Sequence, residues 1–170
     1  MYDHIVGLVD RETAAWNQKD VALLLSIFHP HMVWVWPQSP NGHDPTSWAC
    51  PQGKFQATRW AEIYEKLFEK YALVHNYRET IQVVCTQEQD GGFAVVDIDT
   101  LWRDMDTGEE MHWYGRTCKT YVKTADGVKL IAQTGPLCYD MFAGASYHNG
   151  MDESACAGGG MREKPSAPLR

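Results

Sequence analysis

Residues 3 to 17 carry Ile5, Leu8, Val9 and Trp16 at roughly helical spacing, with Asp3 placed to cap the segment. The polar stretch Asn17-Gln18-Lys19 breaks the pattern. Asp20 then caps a second short helix with Val21, Leu24, Leu25 and Phe28 on one stripe, and Pro30 closes it. Met32 to Trp36 is a short β-rich run stopped by Pro37. Residues 37 to 57 form a long polar segment rich in Pro and Gly, a length expected of a lid or binding loop. Trp60, Ile63, Tyr64, Leu67, Phe68 and Tyr71 keep the i, i+3, i+4, i+7 rule, which predicts a helix over 58 to 72.

The period changes after this helix. Residues 77 to 87, 93 to 103, 110 to 123 and 128 to 137 alternate as strands do. Asp90-Gly91-Gly92, Asp106-Thr107-Gly108 and Asp126-Gly127 supply turns between them. The expectation is an antiparallel meander with the helices on one face, an α+β arrangement. A strongly twisted sheet wrapped over a long helix would leave a cone-shaped hollow. Residues 1 to 139 form the expected domain. Residues 140 to 170 read as an irregular tail, with Tyr139 or Phe142 as its one docked aromatic.

Composition narrows the class. The 170 residues are 44% hydrophobic and 22% charged, which fits one globular domain. The net charge is −7 with no basic block, so nucleic acid and anionic membranes are not expected partners. The longest apolar run, around Val21 to Leu25, is too short to cross a bilayer. Five cysteines without a Cys-x-x-Cys pair, and no leader-like start, point to a reducing, cytoplasmic setting. Seven Trp and eight Tyr are many for this length, and they predict an aromatic-lined cavity, a large contact surface, or both.

Several stretches bring a family into view: Ala15-Trp16-Asn17-Gln18-Lys19-Asp20, Phe28-His29-Pro30-His31-Met32-Val33-Trp34, the helix Trp60 to Tyr71, Ala94-Val95-Val96-Asp97, and Tyr121-Val122-Lys123-Thr124 before Gly127. In this order they resemble the NTF2-like superfamily, and in detail its SnoaL-like branch, over residues 3 to 139. The resemblance implies N-terminal helices packed in a curled antiparallel sheet, the NTF2-like cone. It implies a sheet face used for a homodimer, and a pocket that in many members is catalytic. The superfamily spans dehydratases, isomerases, epoxide hydrolases, cyclases and members that only bind or associate, so the fold leaves the reaction open.

A turn centred on Asp106-Thr107-Gly108 sets Leu101 opposite His112, Asp99 opposite Tyr114 and Asp97 opposite Arg116. One sheet face then carries Asp97, Asp99, His112, Tyr114, Arg116 and Cys118. The other carries Val96, Ile98, Thr100, Trp102, Trp113 and Thr117. If the polar face lines the hollow, Asp99 or Asp97 is the base, His112 the proton relay, and Tyr114 or Arg116 the oxyanion partner. If it faces water, Asp97–Arg116 is an ordinary cross-strand ion pair and the apolar face packs on the helices.

Trp34, Trp36 and Cys118 are the expected substrate-pocket residues; the alternative makes Trp34 and Trp36 core plugs and Cys118 an inert thiol. His29, His31, His43 and Asp44 lack the spacing of a metal site. No phosphate loop or dinucleotide fingerprint is present. The expected function is therefore a cofactor-free, metal-free acid–base enzyme acting on a small, largely apolar or aromatic cyclic molecule. The alternative is a non-catalytic ligand-binding or dimeric association module.

Overall fold

The computed structural model describes residues 1–37 and 45–135. Helix α1 spans Tyr2–Gln18 and α2 spans Val21–Ile27. Asp20 caps α2 by accepting from the Leu23 backbone N–H at 2.8 Å. Strand β1 (Phe28–Pro37) follows at once, Pro30 lying inside it near its start. A 3₁₀ turn at Pro45–Ser47 and the two-residue strand β2 (Trp48–Ala49) occupy part of the long polar segment. Helix α3 is Ala57–Lys70. Strands β3 (Tyr71–Cys85), β4 (Gly91–Asp104), β5 (Glu110–Thr124) and β6 (Gly127–Thr134) complete the described chain. The expected tail, with Tyr139 and Phe142, lies outside the described residues, as do His43 and Asp44. Among the described residues no helix is long and apolar enough to cross a membrane.

The meander and its register match the sequence reading. Asp97 faces Arg116, Asp99 faces Tyr114 and Leu101 faces His112. The local cause is the turn after β4. Asp104 Oδ1 accepts from the backbone N–H groups of Asp106 and Thr107 at 2.9 and 3.0 Å, and Gly108 takes a positive φ of 76°. Side-chain acceptance of this kind fixes turn geometry, and turn geometry fixes register.

The expected curled cone is not what forms. The six strands lie in the order β2-β1-β6-β5-β4-β3, an open sheet with β2 and β3 as separate edges. It is neither closed nor strongly curled. Nor is it wholly antiparallel, because β1 runs parallel to β6, with Val33 beside Ala132 and Val35 beside Thr134. Turn residues govern only strands joined by hairpins. The docking of β1 on β6 joins segments about a hundred residues apart, and no local signal encodes it.

The helix over 58 to 72 also ends early. Tyr71 is already extended (φ −115°, ψ 135°), and β3 starts there rather than at residue 77. Lys19 Nζ donates to the carbonyls of Phe68 (2.9 Å) and Tyr71 (2.6 Å), so a cation satisfies acceptors at the helix end.

The helices cover one face of the sheet. Ile5, Val9 and Trp16 of α1 and Trp60, Tyr64 and Phe68 of α3 are buried against Ala94, Val96, Trp102, Trp113, Tyr121 and Leu130. Trp16 sits at the hub, meeting Trp34, Tyr64, Phe68, Trp102 and Trp113 edge-on at centroid distances of 5.6 to 6.4 Å. Such T-shaped pairs each add about 0.5–1.5 kcal/mol beyond area burial. The aromatic excess is therefore largely spent on this core. At Gly92 a Cβ would overlap the Val84 carbonyl and lie 2.8 Å from Ile5 Cδ1, so only glycine lets α1 approach β4.

Candidate functional site

Among the described residues, Glu12, Lys119 and Arg78 place charges within the apolar covered face. Glu12 lies on the buried stripe of α1 with Ile5, Val9 and Trp16, and is 1% exposed. Lys119 holds an inward position of β5 between Thr117 and Tyr121, and is 2% exposed. Arg78 points inward from β3 beside Ile98 of β4. Burying a lone charge is prohibitive, so they must meet one another.

They do meet. Lys119 Nζ donates to both Glu12 oxygens at 2.8 and 2.9 Å and to Gln133 Oε1 at 2.6 Å. Arg78 Nη1 donates to Glu12 Oε1 at 3.0 Å, and Arg78 lies over the Trp16 ring at 5.8 Å. One carboxylate thus serves two cations. Burial alone would raise the Glu12 pKa, but the charges and hydrogen bonds of Lys119 and Arg78 outweigh it and bring it below the ordinary range. Lys119 fares differently. Desolvation lowers its pKa, Glu12 opposes that, and Arg78 repels the ammonium, leaving it at about 8. Both partners shift down for different reasons: desolvation dominates at Lys119, with Arg78 adding to it, while at Glu12 the two cations outweigh desolvation.

Beside this network is a narrow pocket of about 20 Å³, room enough for one water molecule. Its polar end is Glu12, Arg78, Lys119, Gln133, Thr117 and Thr134. Its walls are Trp16, Trp34, Trp36, Trp113 and Ile98. The indole N–H groups of Trp34 and Trp36 are buried without an acceptor among the described residues. The site holds one net positive charge and an excess of donors.

The polar residues read from the sequence lie on the opposite face. Asp97 pairs with Arg116 through Nε to Oδ1 at 2.7 Å and Nη2 to Oδ2 at 2.9 Å, with Arg116 exposed. Asp99 Oδ1 lies 2.7 Å from His112 Nε2 and also 2.7 Å from His75 Nε2. Desolvation would raise the Asp99 pKa, but hydrogen bonds from His112 and His75 outweigh it and bring it to about 2. Tyr114 packs on His112 at 4.7 Å and Tyr77 on His75 at 5.0 Å. The structure thus groups Asp99, His112 and Tyr114, with Asp97–Arg116 one row along, and separates all five from Trp34 and Trp36. The expected shared cavity does not form.

Cys118 is exposed on the outer face and does not line the pocket. Desolvation by its neighbours raises its thiol pKa, with Lys119 opposing, so it is a poor nucleophile at neutral pH. The His29 and His31 rings lie 5.5 Å apart, tilted at 47°, with His29 half-buried and His31 exposed on β1.

The sequence reading missed Glu12, Arg78 and Lys119. The available signal was a charge at an inward position of an otherwise apolar face. His75 falls between the expected helix (58 to 72) and the expected strand (77 to 87), whereas β3 already covers it.

Comparison with known proteins adds the fold. No protein-family profile matches the sequence, and no curated protein is detectably similar to it. Solved structures do match. A ketosteroid isomerase-like protein from Erwinia carotovora atroseptica superposes with TM-score 0.58 at 16% identity, over 78% of this chain and 92% of that one. A conserved protein from Planctomyces limnophilus gives 0.62 at 11%, over 79% and 94%. An NTF2-like protein of unknown function in nutrient uptake from Rhodospirillum rubrum gives 0.58 at 19%, over 79% and 98%. At these identities the likeness establishes the NTF2-like fold and leaves the chemistry to the site.

Proposed function

We propose that the inner pocket takes a small, flat, largely apolar cyclic molecule bearing one carbonyl or anionic oxygen, and moves a proton on it. The observation that carries this reading is Lys119, buried against Glu12 with its pKa at about 8, next to two unpartnered indole donors. Burial lowers the Lys119 pKa towards neutrality, which suits a group that takes a proton and returns it. Arg78 and the Trp34 and Trp36 N–H groups supply the positive side for a developing enolate oxygen. The pocket holds about one water molecule as it stands, so a larger ligand requires its walls to move apart.

The test needs no known product. Cyclic ketones in D₂O are incubated with the protein, and exchange at the α-carbon is followed by NMR. Exchange in the wild type that falls about 100-fold or more in Lys119→Met supports the reading. No exchange by the wild type across the panel, together with no tryptophan fluorescence change, refutes it.

A second reading keeps catalysis on the outer face, with Asp99 as base, His112 as relay and Tyr114, Asp97 and Arg116 around them. The 2.7 Å contacts of His75 and His112 with one Asp99 oxygen favour it. Exchange lost in Asp99→Asn and kept in Lys119→Met selects this face. A homodimer is proposed through this face as well: Trp102, Trp113 and Tyr121 are buried in the core, and exposed Tyr77, Val84 and Phe93 lie here.

A further inference from the structure

The outer face brings three ligand-type atoms to one point. His75, Asp99 and His112 come from three adjacent strands, β3, β4 and β5. Leu101 lies opposite both histidines, and Asp99 is two residues further along β4. Side chains two apart share a face, so both imidazoles lean diagonally onto the same carboxylate. Both Nε2 atoms are 2.7 Å from Oδ1, and the three ligand atoms all lie within 4.8 Å of one another.

We propose that His75, Asp99 and His112 bind one divalent transition-metal ion of the zinc class per chain. Zinc bonds to N and O are about 2.0–2.2 Å, which sets neighbouring ligand atoms about 3.3 Å apart in a tetrahedron. The N···O separations need to open by about 0.6 Å, a side-chain adjustment and not a backbone one. Two imidazoles and one carboxylate select zinc, cobalt or nickel over calcium and magnesium, which take oxygen ligands. Metal replaces the protons between each Nε2 and Oδ1; those protons leave to solvent or move to Nδ1.

The surroundings fit a ligand set held in place. The three strands are hydrogen-bonded neighbours, so the Cα positions are fixed. Tyr77 stacks on the His75 ring (5.0 Å, 22° between planes) and Tyr114 covers His112 (4.7 Å), which limits ring rotation. Arg116, the nearby cation, is held by both oxygens of Asp97. Side-chain exposures of 20% for His75, 30% for Asp99 and 14% for His112 leave an approach from solvent for the ion and a fourth ligand such as water.

The full chain, freed of metal with a chelator and dialysed, is titrated with zinc chloride by calorimetry and with cobalt chloride by visible absorption. The expected result is saturable 1:1 binding at micromolar affinity or tighter, with the d–d bands of low-coordinate cobalt. Changes in groups that merely orient ligands already cost about 10–100-fold in affinity, so His75→Ala, Asp99→Asn and His112→Ala should each cost about 100-fold or more. The double change of His29 and His31 to Ala should leave binding intact. In the wild type, zinc should move the ring resonances of His75 and His112 in the histidine NMR spectrum, a readout independent of whether any variant folds. Absence of saturable binding overturns the proposal. So does binding that follows His29 and His31, or zinc shifts that bypass the His75 and His112 rings.

Discussion

Removing either partner of the Glu12–Lys119 pair should destabilise the fold, but by unequal amounts. Lys119→Met removes an ammonium that donates to three acceptors, the two Glu12 oxygens and Gln133 Oε1. Breaking a buried pair from one side costs about 3–5 kcal/mol because the other charge is stranded. Here Glu12 keeps Arg78 at 3.0 Å, so Lys119→Met should fall at or below the lower end, about 2–3 kcal/mol. Glu12→Gln leaves Lys119 and Arg78, two buried like charges, around a neutral amide. It should reach about 5 kcal/mol, a large part of the 5–15 kcal/mol that holds a domain together. The double variant should be more stable than Glu12→Gln alone, because the second change removes the repelled cation. Urea unfolding at pH 7, followed by tryptophan fluorescence and circular dichroism, measures all three. Equal costs for the two single variants, or costs that simply add in the double, would refute the three-charge account.

Other expectations follow from the same contacts. Between pH 8 and 10.5 the unfolded chain holds a proton that folded Lys119 has released, so stability should rise with pH from about 8. Above about 10, buried Tyr64 and Tyr121 oppose this, since their phenols stay protonated only in the folded state. Urea midpoints from pH 7.5 to 9.5 should climb in the wild type, relative to Lys119→Met. At the acid end, Asp99 is lowered to about 2, so its contribution is present above 3.8 and lost as pH falls towards 2. Asp99→Asn should therefore flatten part of the acid limb of a melting-temperature profile. Gly92→Ala should destabilise by more than about 2 kcal/mol in a thermal melt, because the new methyl meets a fixed backbone carbonyl. The exposed Tyr77 and Phe93 should make the chain a dimer by sedimentation equilibrium, and changing both to Ser should return it to monomer.

The elements were largely present in the sequence. The helical stripe of α3, the alternation of β4 and β5 and the turns at Asp106-Thr107-Gly108 and Asp126-Gly127 lie within short windows. Within such windows side-chain direction and turn geometry are local properties. That is why the pairing of Asp99 with Tyr114 and of Asp97 with Arg116 follows from the residues around one turn. Which face would be covered was a different matter. Hydropathy placed Val96, Trp102 and Trp113 inward, as they are, whereas the shared cavity of Asp97 to Arg116 with Trp34 and Trp36 required both faces to meet.

Only the tertiary structure decided the remaining features. Strand β1 lies parallel to β6, the sheet stays open, and His75 joins Asp99 because β3 begins as soon as α3 ends. Lys119 and Arg78 reach Glu12 from 107 and 66 positions away. Each of these residues looks anomalous alone, a charge on a buried face. The anomaly resolves only where three segments pack and their charges are desolvated together. Pattern and turn chemistry act over a few residues, while charge burial and strand docking depend on which distant segments share a space.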